Sequence, residues 1–189
     1  LPFTSAYGNG HLFSTKDMCT LMHIPELVDA GIDSFKIEGR MKKKEYSAYL
    51  SSLYRHYVDV YESEGKETFQ ALVQNKESRL WKDIRRSKDI YNRGGFSAGY
   101  LFETDKKNIM YPKKNGHFGT CVGTVLKASK GQAVFRVKEA LHYQDILEFR
   151  LEDDTKAYEY TVKNEAASGD VVTCNVKRGS TIFKGQKVY

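Results

Sequence analysis

No stretch of the 189-residue sequence approaches the roughly 20 apolar residues needed to cross a bilayer. No basic-then-apolar leader opens it either, so no membrane partner is expected. The three cysteines, Cys19, Cys121 and Cys174, are few, odd in number and far apart. That argues against a secreted disulfide framework and for a reducing compartment, so a cytoplasmic setting is expected. His11, His23, His56, His117 and His142 form no ligand-spaced pair, and no second cysteine stands near Cys19. A zinc site or metal cluster built wholly by this chain is therefore not expected. Only three prolines punctuate the text, and neither a repeat nor a low-complexity tract is present. An initiator methionine is missing too: the chain starts at Leu1 and reads as a carboxy-terminal piece of a larger enzyme, not active by itself.

What is present is the composition of a folded globular protein, 40% hydrophobic and 29% charged. The net charge of +6 permits an acidic partner such as RNA without demanding one. An ordinary basic surface is the plainer reading.

Two regimes follow one another. Ser14-Thr15-Lys16-Asp17 has the form of a helix start, with Met18, Leu21, Met22, Leu27 and Val28 as its apolar face, Pro25 splitting it and Ala30-Gly31 ending it. Ile32–Arg40 is short, ends near Gly39 and reads as a strand. Lys44 to Glu64 then carries Tyr46, Tyr49, Leu50, Leu53, Tyr54, Tyr57, Val58 and Tyr61 at helical spacing. Plain packing is the first reading of that tyrosine face, and self-association of the isolated piece the second. Helix, strand, helix is the order of a parallel α/β unit, and one such unit cannot bury its own sheet. The rest of that sheet must come from elsewhere. From Gly119 onward the text turns to short β runs at Cys121–Lys127, Ala133–Lys138, Asp145–Leu151, Tyr158–Val162, Val171–Val176 and Gln186–Tyr189. Their spacing indicates a small antiparallel barrel or sandwich.

Three features can carry chemistry. Cys19 stands just inside the expected helix start, where the dipole favours a thiolate, a nucleophile or soft-metal ligand. The alternative is a buried core cysteine. Lys36, Glu38 and Arg40 alternate along the expected strand and project to one side of its carboxyl end. They are candidate catalytic groups, or else a structural ion-pair cluster. Basic residues gather around Lys42, Lys43 and Lys44, around Arg85 and Arg86, at Arg93, and at Lys113 and Lys114 beside Tyr111 and His117. Such patches suit phosphate contact and base stacking, or are solvated faces.

At this point the text from Ser14-Thr15-Lys16-Asp17-Met18-Cys19 through Ile24-Pro25-Glu26-Leu27 to Lys36-Ile37-Glu38-Gly39-Arg40-Met41-Lys42 resembles the signature region of the collagenase-like peptidase family U32. Asn92-Arg93-Gly94-Gly95-Phe96-Ser97-Ala98-Gly99-Tyr100 and Gly116-His117-Phe118-Gly119 resemble two further family motifs, the first with one extra glycine at Gly94-Gly95.

The resemblance implies an α+β chain in three parts. Residues 1–64 would be the last βα unit or units of a TIM-like barrel, 65–115 a helical and loop linker, and 116–189 a small carboxy-terminal β-barrel similar to those of translation factors. It also implies a parent that carries an iron–sulfur cluster, with Cys19 as one of four ligands and the others outside this chain, while Cys121 and Cys174 stay core cysteines. The expected function of the parent is hydroxylation of an RNA base, with the missing amino-terminal barrel and RNA as partners. Alternatives are a collagenase-like peptidase acting on a protein substrate, and a non-catalytic binding module.

Overall fold

The structure, a computed structural model, describes residues 2–5, 8–40, 42–113, 116–129 and 131–189. Two compact units follow one another along the chain, Leu1–Gly119 and Thr120–Tyr189.

The first unit is built on a long helix. Short strands β1 (Phe3–Ser5), β2 (Gly8–Gly10) and β3 (Asp17–Met18) precede a 3-10 turn at Leu21–His23 and helix α1 (Ile24–Asp29). The expected helix start at Ser14 is corrected: Asp17 and Met18 are extended, and Pro25 lies in the first turn of α1 instead of splitting a helix. Proline is tolerated there because its missing N–H would have no helical partner anyway.

Helix α2 (Lys44–Gln74) breaks at Gly65, whose φ of 80° and ψ of 178° leave the helical region. Its first half therefore ends where the tyrosine periodicity ends. Asp29 brackets the break, accepting from the Tyr61 hydroxyl and pairing with Lys66 at 2.9 Å. The tyrosine face packs within the unit. Leu53, Tyr57 and Val58 are buried with Leu21, Ile24, Phe69, Leu80 and Ile84. Tyr57 satisfies its hydroxyl by donating to Asp83 at 2.8 Å.

Helix α3 (Arg79–Ile90) starts at Ser78, which caps Trp81 N–H, while Trp81 Nε1 donates to Val73 O at 2.8 Å. Strand β4 (Phe96–Ser97) and helix α4 (Gly99–Phe102) complete the unit, with a 3-10 turn at Lys106–Ile109.

The expected strand at Ile32–Arg40 is corrected as well. The segment is extended, but no ladder partner lies beside it among the described residues. Its strand periodicity survives nonetheless: Phe35, Ile37 and Gly39 are half-buried, and Lys36, Glu38 and Arg40 are exposed. A parallel strand forms only when a neighbour supplies its hydrogen bonds, so a correct period is compatible with no strand.

The second unit is a curled six-stranded antiparallel sheet, half of a barrel, which bears out the α+β class and the small β unit. Its strands are β5 (Gly123–Ser129), β6 (Gln132–Val137), β7 (Ile146–Arg150), β8 (Lys156–Thr161), β9 (Val171–Asn175) and β10 (Lys187–Val188), in the order β8-β7-β10-β5-β6-β9. Each lies within a few residues of an expected β run. Side chains of one parity point inward: Ala133, Phe135 and Val137 of β6 join Leu147 and Phe149 of β7, Val125, Cys174 and Val188 in one buried cluster. Phe135 and Phe149 meet edge to face, with centroids 5.8 Å apart.

Phe149 is fully buried at the centre of this cluster, so Phe149→Ala is expected to destabilise the second unit by about 3–5 kcal/mol through the cavity it leaves. Urea unfolding followed by circular dichroism checks this; a loss below about 1 kcal/mol contradicts the packing described.

Candidate functional site

Three segments far apart in sequence meet in the first unit. β3 runs parallel to β4, with Asp17 opposite Phe96 and Met18 opposite Ser97. The pairing continues one step as Cys19 N–H donates to Ser97 O at 2.9 Å. The Asp17 carboxylate accepts Arg93 N–H at 2.8 Å and the Arg93 guanidinium at 2.9 and 3.2 Å. Both guanidinium nitrogens share one carboxylate oxygen while the other takes the backbone N–H, and the pair is half-buried, which makes it stronger than an exposed pair.

Asn92, only 2% exposed, ties in the third segment. Its amide donates to Lys88 O at 2.8 Å and Gly119 O at 3.2 Å, and accepts Gly95 N–H at 2.9 Å. Its backbone N–H donates to His117 Nδ1 at 3.1 Å, and its carbonyl accepts Phe118 N–H at 2.6 Å. Residues 14–19, 92–100 and 116–119 are thereby one hydrogen-bonded assembly. Gly94, at φ 73°, lies flat against Tyr111: a Cβ there would come within 2.3 Å of the ring.

Cys19 sits in the middle of this assembly. It precedes the Leu21–His23 turn and is not inside a helix start, so the expectation of a helix-favoured thiolate is corrected. Burial pushes its thiol above the ordinary range, opposed by Leu21 N–H, the Tyr54 hydroxyl and the charge of Lys88. Burial thus favours the thiol form of Cys19 over the thiolate. Burial likewise pushes Tyr54 up to about 12, while the Tyr54 oxygen accepts Thr20 N–H at 3.0 Å. Among the described residues no group of three or more His, Cys, Asp or Glu could hold a metal ion. Cys174 is buried in the second unit, its thiol raised to about 11 by burial, and Cys121 is half-buried there.

Lys36, Glu38 and Arg40 are exposed on one side of the extended segment, with Glu38 accepting the Arg40 N–H at 2.7 Å. Behind them, a cleft of about 370 Å³ is lined by Val28, Phe35, Ile37, Tyr54 and Val58 among others.

Of the basic residues, the structure brings together Lys42, Lys43 and His117. They line a cleft of about 650 Å³ with Glu45, Tyr46, Asp89, Ile90 and Tyr91, where α2 begins and α3 ends. Lys42 Nζ lies 2.9 Å from the centre of the Tyr91 ring, a cation–π contact. His117 stacks on Tyr91, with centroids 5.2 Å apart and 17° between planes, and Tyr46 meets Tyr91 edge to face. Lys44 is exposed in the first turn of α2. Arg85 reaches Lys76 O at 3.2 Å and Arg86 lies 5.9 Å from the Tyr49 ring centre, both on α3 and neither lining the cleft. Arg93 is engaged by Asp17, Lys113 is exposed, and Lys114 lies outside the described residues. Sequence reasoning missed Tyr91, whose signal was adjacency to the Asn92-Arg93-Gly94-Gly95 motif, and quoted Asn92 in that motif without assigning it a role.

Among the described residues no helix is long and apolar enough to cross a membrane. A sequence profile of peptidase family U32 matches residues 4–111. An uncharacterized protease of Methanocaldococcus jannaschii is 33% identical over 98 residues, which is 52% of this chain and 21% of that protein. A tRNA hydroxylation protein of Bacillus subtilis is 44% identical over 50 residues, 26% of this chain and 16% of that protein. The 23S rRNA 5-hydroxycytidine C2501 synthase of Escherichia coli is 30% identical over 131 residues, 69% of this chain and 19% of that protein. The chain thus spans about a fifth of the length of the curated relatives it matches. No solved structure matches it.

Asn92→Ala removes a buried amide that answers three half-buried backbone groups; a loss of about 2–4 kcal/mol is expected in urea unfolding, and a neutral result contradicts its anchoring role. The raised thiol and phenol pKa values also set a direction with pH. The folded state holds these protons longer than the unfolded one, so their contribution is complete below the ordinary values of about 8.5 for cysteine and about 10 for tyrosine. It is lost as pH rises through the folded values, about 11 for Cys174 and about 12 for Tyr54. Melting temperature should fall above about pH 9, and less steeply in Cys174→Ala; equal slopes contradict the burial assigned to this thiol.

Proposed function

Since this chain belongs to peptidase family U32, we propose that the protein it comes from hydroxylates an RNA base, with Cys19 as one ligand of an iron–sulfur cluster. The remaining ligands come from polypeptide outside these 189 residues. Two similar proteins act on RNA by name, a tRNA hydroxylation protein and an rRNA hydroxycytidine synthase, and that favours RNA over protein as the substrate.

The observation that carries the cluster role is the setting of Cys19. Its backbone is fixed by Ser97, and Leu21 N–H, the Tyr54 hydroxyl and Lys88 surround its sulfur with donors and positive charge. Burial favours the protonated thiol, and in a bound cluster Cys19 would serve as a thiolate, its proton lost to solvent and its charge stabilised by those donors. The residues present therefore fit one thiolate position of a cluster, and among the described residues no group of three or more His, Cys, Asp or Glu could hold a metal ion. When bound, such a cluster supplies one-electron transfer at a potential tuned by hydrogen bonds to its sulfurs and by burial.

The chain's own groups do the rest. Lys36, Glu38 and Arg40 line the mouth of the completed barrel, where a carboxylate flanked by two cations can orient a polar substrate and hold or pass a proton at Glu38. Ile32–Arg40, extended and with its ladder groups unsatisfied by any described strand, pairs with the next strand of that barrel.

The full-length protein, purified without air, is expected to be brown and to contain iron; Cys19→Ala should bleach it and leave its target RNA without the hydroxyl group, as read by nucleoside mass spectrometry. A colourless, iron-free protein from the same preparation overturns the cluster assignment. Gelatin cleavage that survives rigorous purification and vanishes in Glu38→Gln overturns the RNA assignment in favour of a peptidase.

A further inference from the structure

The cleft at the start of α2 and the end of α3 is not used by the chemistry at Cys19. Its volume of about 650 Å³ is that of a small-molecule site. Its lining is unusual in combining an ordered aromatic stack with charges of both signs. Lys42 covers Tyr91, His117 lies nearly parallel to Tyr91, and Tyr46 closes the edge. His117 and Lys43 are exposed. Glu45 and Asp89 offset the two lysines, so a simple anion is not the best occupant, and an acidic peptide is worse. What matches all of these groups is a planar ring carrying amino donors, attached to a phosphate.

We infer that this cleft holds one unpaired nucleotide of a single-stranded RNA, its base stacked on His117 and backed by Tyr91 and Lys42, its phosphate drawn by Lys43. The inference rests on the RNA reading above for its partner and adds the form in which the RNA is recognised. Bases in a duplex have both faces occupied by their neighbours, so a stacking site selects unpaired nucleotides. Glu45 and Asp89 are placed to accept from the exocyclic amino group of a base such as cytosine. His117 is held at its position by the Asn92 N–H donating to Nδ1, which orients the ring before any ligand arrives.

The test is fluorescence anisotropy of the 189-residue chain with three probes: hexacytidylate, its duplex with hexaguanylate, and an abasic hexamer of the same backbone. Hexacytidylate should bind tighter than either of the others. His117→Phe keeps a ring and should retain binding, whereas His117→Asn keeps an acceptor for Asn92 N–H but no ring. That second variant should weaken binding by about 5- to 150-fold, the range of one base–aromatic stack. A purely structural role for His117 predicts the reverse order. Lys43→Ala should lower the slope of log affinity against log salt by roughly 0.7, one phosphate contact on a single strand. Equal affinity for the abasic and cytidine probes, or unchanged binding in His117→Asn and Tyr91→Ala, overturns the inference, as does failure to bind any of the three. None of those failures touches the cluster test, since bleaching by Cys19→Ala is read on the full-length protein without reference to this cleft.

Discussion

The hold of the Asp17 carboxylate on the Arg93 guanidinium and N–H, together with the buried amide of Asn92, is the constraint on which the first unit's site depends. Without it, residues 14–19 and 116–119 are loop segments with no reason to face each other. With it, Cys19 is fixed between a parallel two-residue ladder and the start of a helical turn, and His117 is fixed against Tyr91. A buried polar group is costly unless answered, and every one of these is answered by its neighbours in the same assembly. Cys19 is thus held by these hydrogen bonds and by its packing against the hydrophobic core of the unit.

The extended run Ile32–Arg40 is the counterpart of that order. Its inner side chains pack toward α2, as Phe35 does against Tyr54 at 6.3 Å between centroids. Its backbone finds no strand to pair with among the described residues. Side-chain packing has a period that survives in one chain, while the ladder needs a second.

That distinction explains what was legible in the sequence. The six strands of the second unit emerged within a few residues of their observed positions because each is an antiparallel neighbour of another in the same unit, with alternation and turns close by. The long helix was legible from its tyrosine spacing, up to the break at Gly65. The start of the chain was misread because Ser14-Thr15-Lys16-Asp17 has capping chemistry locally. The Asp17 carboxylate is instead taken by Arg93, 76 residues away, a partner that local pattern cannot reveal. The same holds for the Cys19 sulfur, beside which α2 places the Tyr54 hydroxyl. Lys42, Lys43 and His117 could be named as basic or stacking residues, but their meeting around Tyr91 is a consequence of the Asn92 anchor.

The most direct test of this account is native-state hydrogen exchange on the 189-residue chain, following the amides of Cys19, Arg93, Gly95 and Phe118. Cys19 donates to Ser97 O, Arg93 to the Asp17 carboxylate, Gly95 to the Asn92 side chain and Phe118 to the Asn92 carbonyl. If the three segments are one cooperative structure, these amides open together, with a shared free energy and a shared dependence on denaturant. Exchange of the Phe118 amide at low denaturant while Cys19 and Gly95 stay protected would contradict it, because the segment carrying His117 would then be attached independently of the segment carrying Cys19.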